Sequence, residues 1–312
     1  MEINQLGEWD SCMEDLYKNV TKNKYGYYEL RQKVEEDAAA DFYQNSYYQN
    51  ETSLYRKKYT KTERQEKLNL VREKHYVIEN DIPFTDRKKC FLDIGCGEGF
   101  ALKYFMEQGY DVLGIELSLC GCEYQNPEVV KKVIQGNTFS VLEKFRPKAY
   151  SGTILLDHVL EHVIKPEKLI RKITEISEKG TLLIISVPND FSKTQLKLWE
   201  KGYITSPPFW VSTSYPPEHL SYFNKEALEM LLGENGWKME IITGTFPIDF
   251  NLFNENTNYV KDKSLGKSCH KAAMDIEELM YTAVGMRRVI DIYKTLGESG
   301  LGRSITAYFI LS

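Results

Sequence analysis

Residues 90–99 read Cys-Phe-Leu-Asp-Ile-Gly-Cys-Gly-Glu-Gly, a short apolar run that breaks into glycine at every second position. The run has the length of a buried strand. Directly behind the glycines, Phe100/Tyr104 and Ala101/Phe105 repeat at i, i+4, so a helix opens there and Gly109 stops it. Strand, glycine turn and helix in that order start a βαβ unit. Their turn lies at the carboxyl end of a strand, where open α/β sheets bind ligands.

The same alternation runs outward from this turn. Asp111–Glu116 reads as the next strand, Val129 to Gln135 as a third, Tyr150 to Leu156 as a fourth and Thr181 to Val187 as a fifth. A helix from Pro166 puts Leu169, Ile170, Ile173 and Ile176 on one face before Gly180. Continuous Val/Ile/Leu strands separated by helices predict an α/β fold, a parallel sheet covered on both faces and doubly wound by right-handed crossovers. After Pro188 a long polar and aromatic stretch reaches Phe223 and holds Pro207-Pro208 and Pro216-Pro217. Such a stretch is functional or structured by its own packing. Asn224 then caps a helix with Ala227, Leu228, Leu231 and Leu232 inside. A sixth strand follows at Trp237 to Thr243, two helices between Ser268 and Leu296, and a last strand at Ser304 to Leu311.

Before the first strand the texture differs. Residues 1–84 read as a helical arm rich in tyrosine (Tyr25, Tyr27, Tyr28, Tyr43, Tyr47, Tyr48, Tyr55, Tyr59), with an amphipathic helix expected over Glu63 to Glu79. The arm packs on the main domain, or acts as a lid whose tyrosines touch a substrate. The expected division is arm at 1–84, ligand-binding core at 85–243, and a helical insertion with the final strand at 244–312.

Composition bounds the function. In a chain of 312 residues, 42% are apolar and 27% charged, and the net charge is -5, so no broad basic footprint for nucleic acid exists. Apolar runs are too short to span a bilayer, and the start MEINQLGEWD lacks the basic and apolar regions of a leader. Six cysteines without a CxxC pair indicate neither a disulfide framework nor a zinc ribbon. The expectation is a cytoplasmic protein with neither a membrane nor a nucleic-acid partner.

The glycine turn also constrains its ligand. A dinucleotide fingerprint is G-x-G-x-x-G, whose helix N-terminus faces a diphosphate. Here the spacing is G-x-G-x-G, with Glu98 in the first helical turn, where an acid would repel phosphate. It would not obstruct a zwitterionic amino-acid tail. Asp93 suits an ammonium group, and Glu116, ending the second strand, can accept from both ribose hydroxyls. This chemistry favours S-adenosylmethionine over NAD or ATP.

Residues 91–99 (FLDIGCGEG), 114–118 (GIELS), 135–139 (QGNTF), 154–163 (ILLDHVLEHV) and 180–189 (GTLLIISVPN) together resemble the ordered motifs of class I S-adenosylmethionine-dependent methyltransferases. The similarity spans roughly residues 85–243. LEHVIKPEKLI at 160–170 is similar to the ubiquinone-biosynthesis-like branch; VPNDF at 187–191, residues 216–228 and the closing GRSI resemble its members from polysaccharide and small-metabolite pathways. The resemblance implies a Rossmann-like seven-stranded sheet, mostly parallel with an antiparallel last strand. It implies that Asp93, Gly95 and Gly97 cradle the methionine portion and that Glu116 holds the ribose. Gly136-Asn137-Thr138 would form the adenine turn, with the Asn137 amide oxygen receiving the exocyclic amine and Phe139 packing on the base. Asp157 would lie beside the sulfonium. Without the resemblance, Asn137 is equally a turn residue and Phe139 a core aromatic.

For the methyl acceptor the readings stay open. Of five histidines, His158 and His219 are the candidate catalytic residues: His158 beside the methyl, His219 as a base or as an anchor of its loop. The branch can carry a metal-binding E-x-x-E-H cluster, but residues 158–162 read H-x-x-E-H, so no metal is assigned and Glu161-His162 reads as a device holding the turn. The expected activity is O-methylation of a small molecule, a sugar or another metabolite. N-methylation, an NAD-dependent oxidoreductase and a non-catalytic S-adenosylmethionine-binding partner protein stand as alternatives, and a homodimer stays open.

Overall fold

The computed structural model describes residues 16–32, 58–83, 87–145, 150–205, 209–213, 215 and 217–312. Tyr43, Tyr47, Tyr48 and Tyr55 of the proposed lid, and Pro207, Pro208 and Pro216, lie outside the described residues.

In chain order the strands are β1 (Val20–Lys22), β2 (Tyr28–Leu30), β3 (Cys90–Ile94), β4 (Asp111–Glu116), β5 (Val133–Gln135), β6 (Thr153–Asp157), β7 (Leu182–Pro188), β8 (Ser221–Tyr222), β9 (Trp237–Gly244) and β10 (Ser304–Leu311). The α-helices are α1 (Lys61–Asn80), α2 (Phe100–Glu107), α3 (Cys120–Gln125), α4 (Thr138–Lys144), α5 (Pro166–Ile176), α6 (Lys193–Glu200), α7 (Lys225–Gly233), α8 (Gly266–Leu279) and α9 (Met286–Ser299).

Seven strands form one sheet in the order β5-β4-β3-β6-β7-β10-β9. From β5 to β7 every pairing is parallel, with Asp93 of β3 opposite Gly114 of β4 and Leu155 of β6. β10 runs antiparallel beside β7: the N–H of Gly180 donates to the Leu311 carbonyl, and the Leu311 N–H donates back to Thr181. The fold is therefore the expected Rossmann-like α/β sheet with an antiparallel strand at its far side. Chain order reverses between β3 and β6, which opens a crevice at their carboxyl ends.

Burial explains why these segments form strands and helices. All seven residues of β7 are buried, and Leu169, Ile170 and Ile173 of α5 are fully enclosed. Each such side chain contributes about 1.5–3 kcal/mol on leaving water. The third strand is shorter than the sequence suggests, because Pro127–Lys132 forms a 3-10 helix and only Val133–Gln135 pairs with β4. Pro127 sets a helical φ in the first turn of that segment, and Val129 is buried from it.

The chain divides into two units, one of Val34–Val187, Leu231–Ile242 and Thr306–Ser312, the other of Met1–Lys33, Pro188–Met230 and Thr243–Ile305. The first holds most of the large sheet together with α1. In the second, β1, β2 and β8 form a small antiparallel sheet that pairs Tyr28 with Tyr222. There the Phe191 ring lies 4.4 Å from Tyr28 and 5.7 Å from Trp210. Among the described residues of the stretch after Pro188, Phe191 packs on Trp210 and Tyr222 as well as on Tyr28 of β2. Among the described residues no helix is long and apolar enough to cross a membrane.

Candidate functional site

At the carboxyl ends of β3, β4 and β6 the first unit encloses a cavity of about 560 Å³. Its floor is the glycine turn, and its cover includes Lys67, Leu70 and Val71 of α1. A reciprocal pair starts α1: the Glu63 N–H donates to the Thr60 hydroxyl at 3.2 Å, and the Thr60 N–H donates to the Glu63 carboxylate at 2.8 Å. Val71, Lys74, Val77 and Ile78 then share the face that packs on the core.

The turn is held from both sides. Gly95, Gly97 and Gly99 adopt φ of 76°, 51° and 74°, the left-handed region that glycine enters without strain. A Cβ on Gly95 would lie 2.6 Å from Cγ2 of Val159, so the β6 turn closes on the glycine backbone. The N–H of Gly95 donates to the Ile115 carbonyl at 2.7 Å, and that of Gly97 donates to Oε2 of Glu116 at 2.8 Å. The other Glu116 oxygen accepts from the N–H of Leu117 at 2.7 Å. That oxygen also accepts from the N–H of Ser118 at 3.5 Å, so Glu116 ties the turn to β4 through both of its oxygens.

Three carboxylates converge beneath the cavity. Burial and the neighbouring charges of Asp157 and Glu116 push Asp93 well above the usual carboxylate range, with Lys74 opposing them. Asp157 is also buried, yet the charges of Lys74 and His158 outweigh that burial and hold it below its ordinary value. Lys74, only 7% exposed, reaches Asp157 at 3.4 Å from α1. Sequence reasoning missed this lysine, although its spacing from Val71 and Ile78 places it on the apolar stripe. Three acidic side chains and Lys74 meet at this end of the cavity, which Lys67, Lys165 and Lys168 also line, and the acidic end fits an ammonium group.

Glu98 acts differently from the expectation. Its Oε1 accepts from the Tyr59 hydroxyl at 2.7 Å, and its Oε2 lies 3.1 Å from the Lys67 ammonium. It is a buried clasp between α1 and the start of α2, with its charge compensated. At the far end of the cavity Asn137 caps α4: its Oδ1 accepts from the N–H of Phe139 at 3.0 Å and of Ser140 at 3.3 Å. The amide oxygen expected to meet an exocyclic amine is thus committed to the helix, and what Asn137 retains is its NH2 donor. Phe139 and Thr138 line the cavity, and the Lys168 ammonium lies 5.4 Å from the Phe139 ring centroid.

His158 also lines the cavity, in a conformation that non-glycine residues rarely adopt, with φ of 55°. Its N–H donates to the Ser186 carbonyl at 2.9 Å, which extends the β6–β7 ladder by one residue. Its Nδ1 lies 3.1 Å from Oε1 of Glu161, on the short 3-10 turn Leu160–His162. Burial disfavours the imidazolium, but the hydrogen bond to Glu161 and the charges of Glu161 and Asp157 outweigh it and raise the His158 pKa. Backbone strain of this kind gathers at functional sites.

The structure thus brings Asp93, Gly95, Gly97, Glu116, Asn137, Thr138, Phe139, Asp157 and His158 to one cavity. His219 belongs to the other unit. There its Nδ1 lies 3.9 Å from Asp190, a buried carboxylate that also accepts from Arg303 at 3.1 Å and Gln195 at 3.3 Å. The His219 N–H donates to the Ser212 hydroxyl at 3.1 Å, and its carbonyl accepts from Tyr222 at 3.2 Å.

The profile of a family described as a methyltransferase domain matches residues 63–241. No curated protein matches the chain. Among solved structures, the chain is similar to an S-adenosylmethionine-dependent methyltransferase from Archaeoglobus fulgidus at 16% identity and a TM-score of 0.46, over 79% of this chain and 94% of that one. It is also similar to one from Thermotoga maritima at 15% identity and a TM-score of 0.43, over 80% and 95%.

Proposed function

The chain belongs to the methyltransferase-domain family, and from that premise we propose that it methylates a small molecule at oxygen with S-adenosylmethionine as donor. One observation carries the reading: the left-handed glycine turn, the acidic side chains gathered beneath it and an imidazole paired with a carboxylate all meet in a single cavity. The donor supplies a methyl group already activated on a sulfonium, so the protein's task is to hold, orient and exclude water.

Asp93 and Asp157 hold the donor's ammonium, and the charge of Asp157, kept ionised by Lys74 and His158, offsets the sulfonium. Gly95 and Gly97 let the backbone approach the methionine portion. Glu116 accepts from the ribose hydroxyls while it keeps its bonds to Gly97 and Leu117. Thr138 and Phe139 bound the adenine, to which Asn137 presents its NH2 group. Sulfonium demethylation needs no proton transfer on the donor side, but a hydroxyl acceptor must lose its proton as it attacks. His158 takes that proton. For His219, the bonds of its backbone to Ser212 and Tyr222 support the loop-anchoring reading. A base suits a hydroxyl acceptor, of a sugar or another metabolite, which must shed its proton as it attacks.

Calorimetric titration with S-adenosylhomocysteine and with NAD tests the first half: saturable binding of the former alone is expected, and the reverse would overturn the reading. Transfer of labelled methyl from S-adenosylmethionine to paired hydroxyl and amine acceptors of the same skeleton tests the second. The hydroxyl partner should be methylated with a rate that rises as His158 loses its proton, and that rise should vanish in His158→Ala. Amine methylation that is indifferent to His158→Ala would overturn the oxygen assignment.

A further inference from the structure

Glu161 is 1% exposed, and a carboxylate taken that far from water costs several kcal/mol unless its partners offset it. Its geometry shows which partner does so. Oε1 lies 3.1 Å from Nδ1 of His158 and 3.9 Å from Nε2 of His162, so the hydrogen bond goes to His158. Oε2 makes no hydrogen bond at all. His158 precedes the three-residue turn Leu160–His162 with left-handed backbone, φ 55°, and its ring meets the Glu161 carboxylate of that turn. Burial works against the Glu161 carboxylate, yet the His158 hydrogen bond and charge, with His162 behind them, keep it ionised. The His158 side chain is 48% exposed toward the cavity while Glu161 stays enclosed. An enclosed anion on one nitrogen of a half-exposed imidazole is the arrangement by which a carboxylate fixes the tautomer of a working ring.

We propose that Glu161 is the positioning residue of His158: it holds Nδ1 protonated and the ring oriented, and leaves Nε2 as the acceptor for a substrate proton. This rests on the reading that His158 takes the acceptor's proton. Glu161 touches no reacting atom; it acts through the imidazole. The groups around His158 are Asp157 from β6, Glu161 and His162 from the 3-10 turn, and Lys74 from α1. Asp157 and Glu161 favour the imidazolium, and Lys74 opposes it. Glu161 is the one of these with a hydrogen bond to the ring.

The test uses the full chain labelled with 13C,15N-histidine, with the His158 resonances assigned through His158→Asn. In the native protein Nδ1 should carry the proton of the neutral ring. Glu161→Gln keeps a hydrogen-bond acceptor but removes the charge, so the tautomer should persist while the protonated fraction of His158 at neutral pH falls at least threefold. Glu161→Ala removes both, so the proton should also redistribute to Nε2. A His158 titration and tautomer unchanged in both variants would overturn the proposal and leave Glu161 a packing group. Failure of the underlying reading looks different: the resonances would respond as expected, while methyl transfer to the hydroxyl acceptor would survive His158→Ala.

Discussion

The ammonium of Lys74 lies 3.4 Å from the carboxylate of Asp157, and it reaches there from a helix that precedes the sheet by one whole segment of chain. It brings the opposing positive charge to a crevice where Asp93, Asp157 and Glu116 repel one another. α1 is therefore more than a covering layer, since the charge balance of the cavity depends on it.

Lys74→Met should destabilise the chain by about 1–3 kcal/mol, toward the lower end because Asp157 is 34% exposed and water can reach it. The sign of its pH dependence follows from Asp157, whose folded pKa is held low. The stability from the pair is present above the ordinary carboxylate value of about 3.9 and is lost as pH falls through the folded value. Urea midpoints of the two proteins should converge as the pH drops below about 4. A deficit that stays constant with pH would mean that the lysine's methylenes, not its charge, stabilise the fold.

Asp93 has the opposite sign. Its folded pKa is raised, so its contribution is favourable below the ordinary carboxylate range and is lost as pH rises through the folded value. Asp93→Asn should therefore raise the melting temperature of the ligand-free protein near neutral pH, with a gain that grows with pH and then levels. The same change should weaken S-adenosylhomocysteine binding more than tenfold, because the ammonium loses its partner. A gain in stability without a loss of affinity would remove Asp93 from the ligand site.

Gly95→Ala meets two obstacles, a φ of 76° and Cγ2 of Val159 at 2.6 Å from the new Cβ. The first costs about 1–2 kcal/mol for an L-residue in left-handed backbone. The second can be relieved. The double variant with Val159→Ala should recover the steric part but not the backbone part, so the two changes should be non-additive in denaturation. Strict additivity would show that the turn shifts away from Val159 instead of clashing with it.

These features divide by how locally they are encoded. The glycine turn, the Val/Ile/Leu strands and the stop at Gly109 each announce themselves within ten residues, because backbone freedom and burial are local demands. Pro127 opens the 3-10 turn that shortens the third strand, whereas the apolar pair Val129 and Val130 reads as the start of a strand. Lys74 and Glu161 were harder to read. A lysine on an apolar stripe and an acid in a three-residue turn have ordinary surface roles, and their partners Asp157 and His158 are set by packing. Asn137 reads in the sequence as a turn residue or an adenine contact, and only the fold shows that its amide oxygen caps α4. The sheet of β1, β2 and β8 joins residues almost two hundred positions apart, and short strands of that kind carry no periodicity to detect.

In the sequence Glu98 argues against a phosphorylated ligand together with the G-x-G-x-G spacing. Both of its oxygens are engaged, one by the Tyr59 hydroxyl and one by Lys67, and it is 7% exposed. With its charge compensated, it contributes little to repelling a diphosphate; that repulsion falls to Asp93, Asp157 and Glu116. Glu98→Gln should consequently leave NAD binding undetectable by calorimetry. What it should change is the clasp: Lys67 loses its counter-ion, and amide exchange over residues 59–67 should quicken while that of β3 and β4 stays slow. Measurable NAD binding in this variant would return the discriminating role to Glu98. Unaltered exchange would show that α1 is held by the packing of Val71, Val77 and Ile78 and by the Lys74–Asp157 pair, without need of its N-terminal clasp.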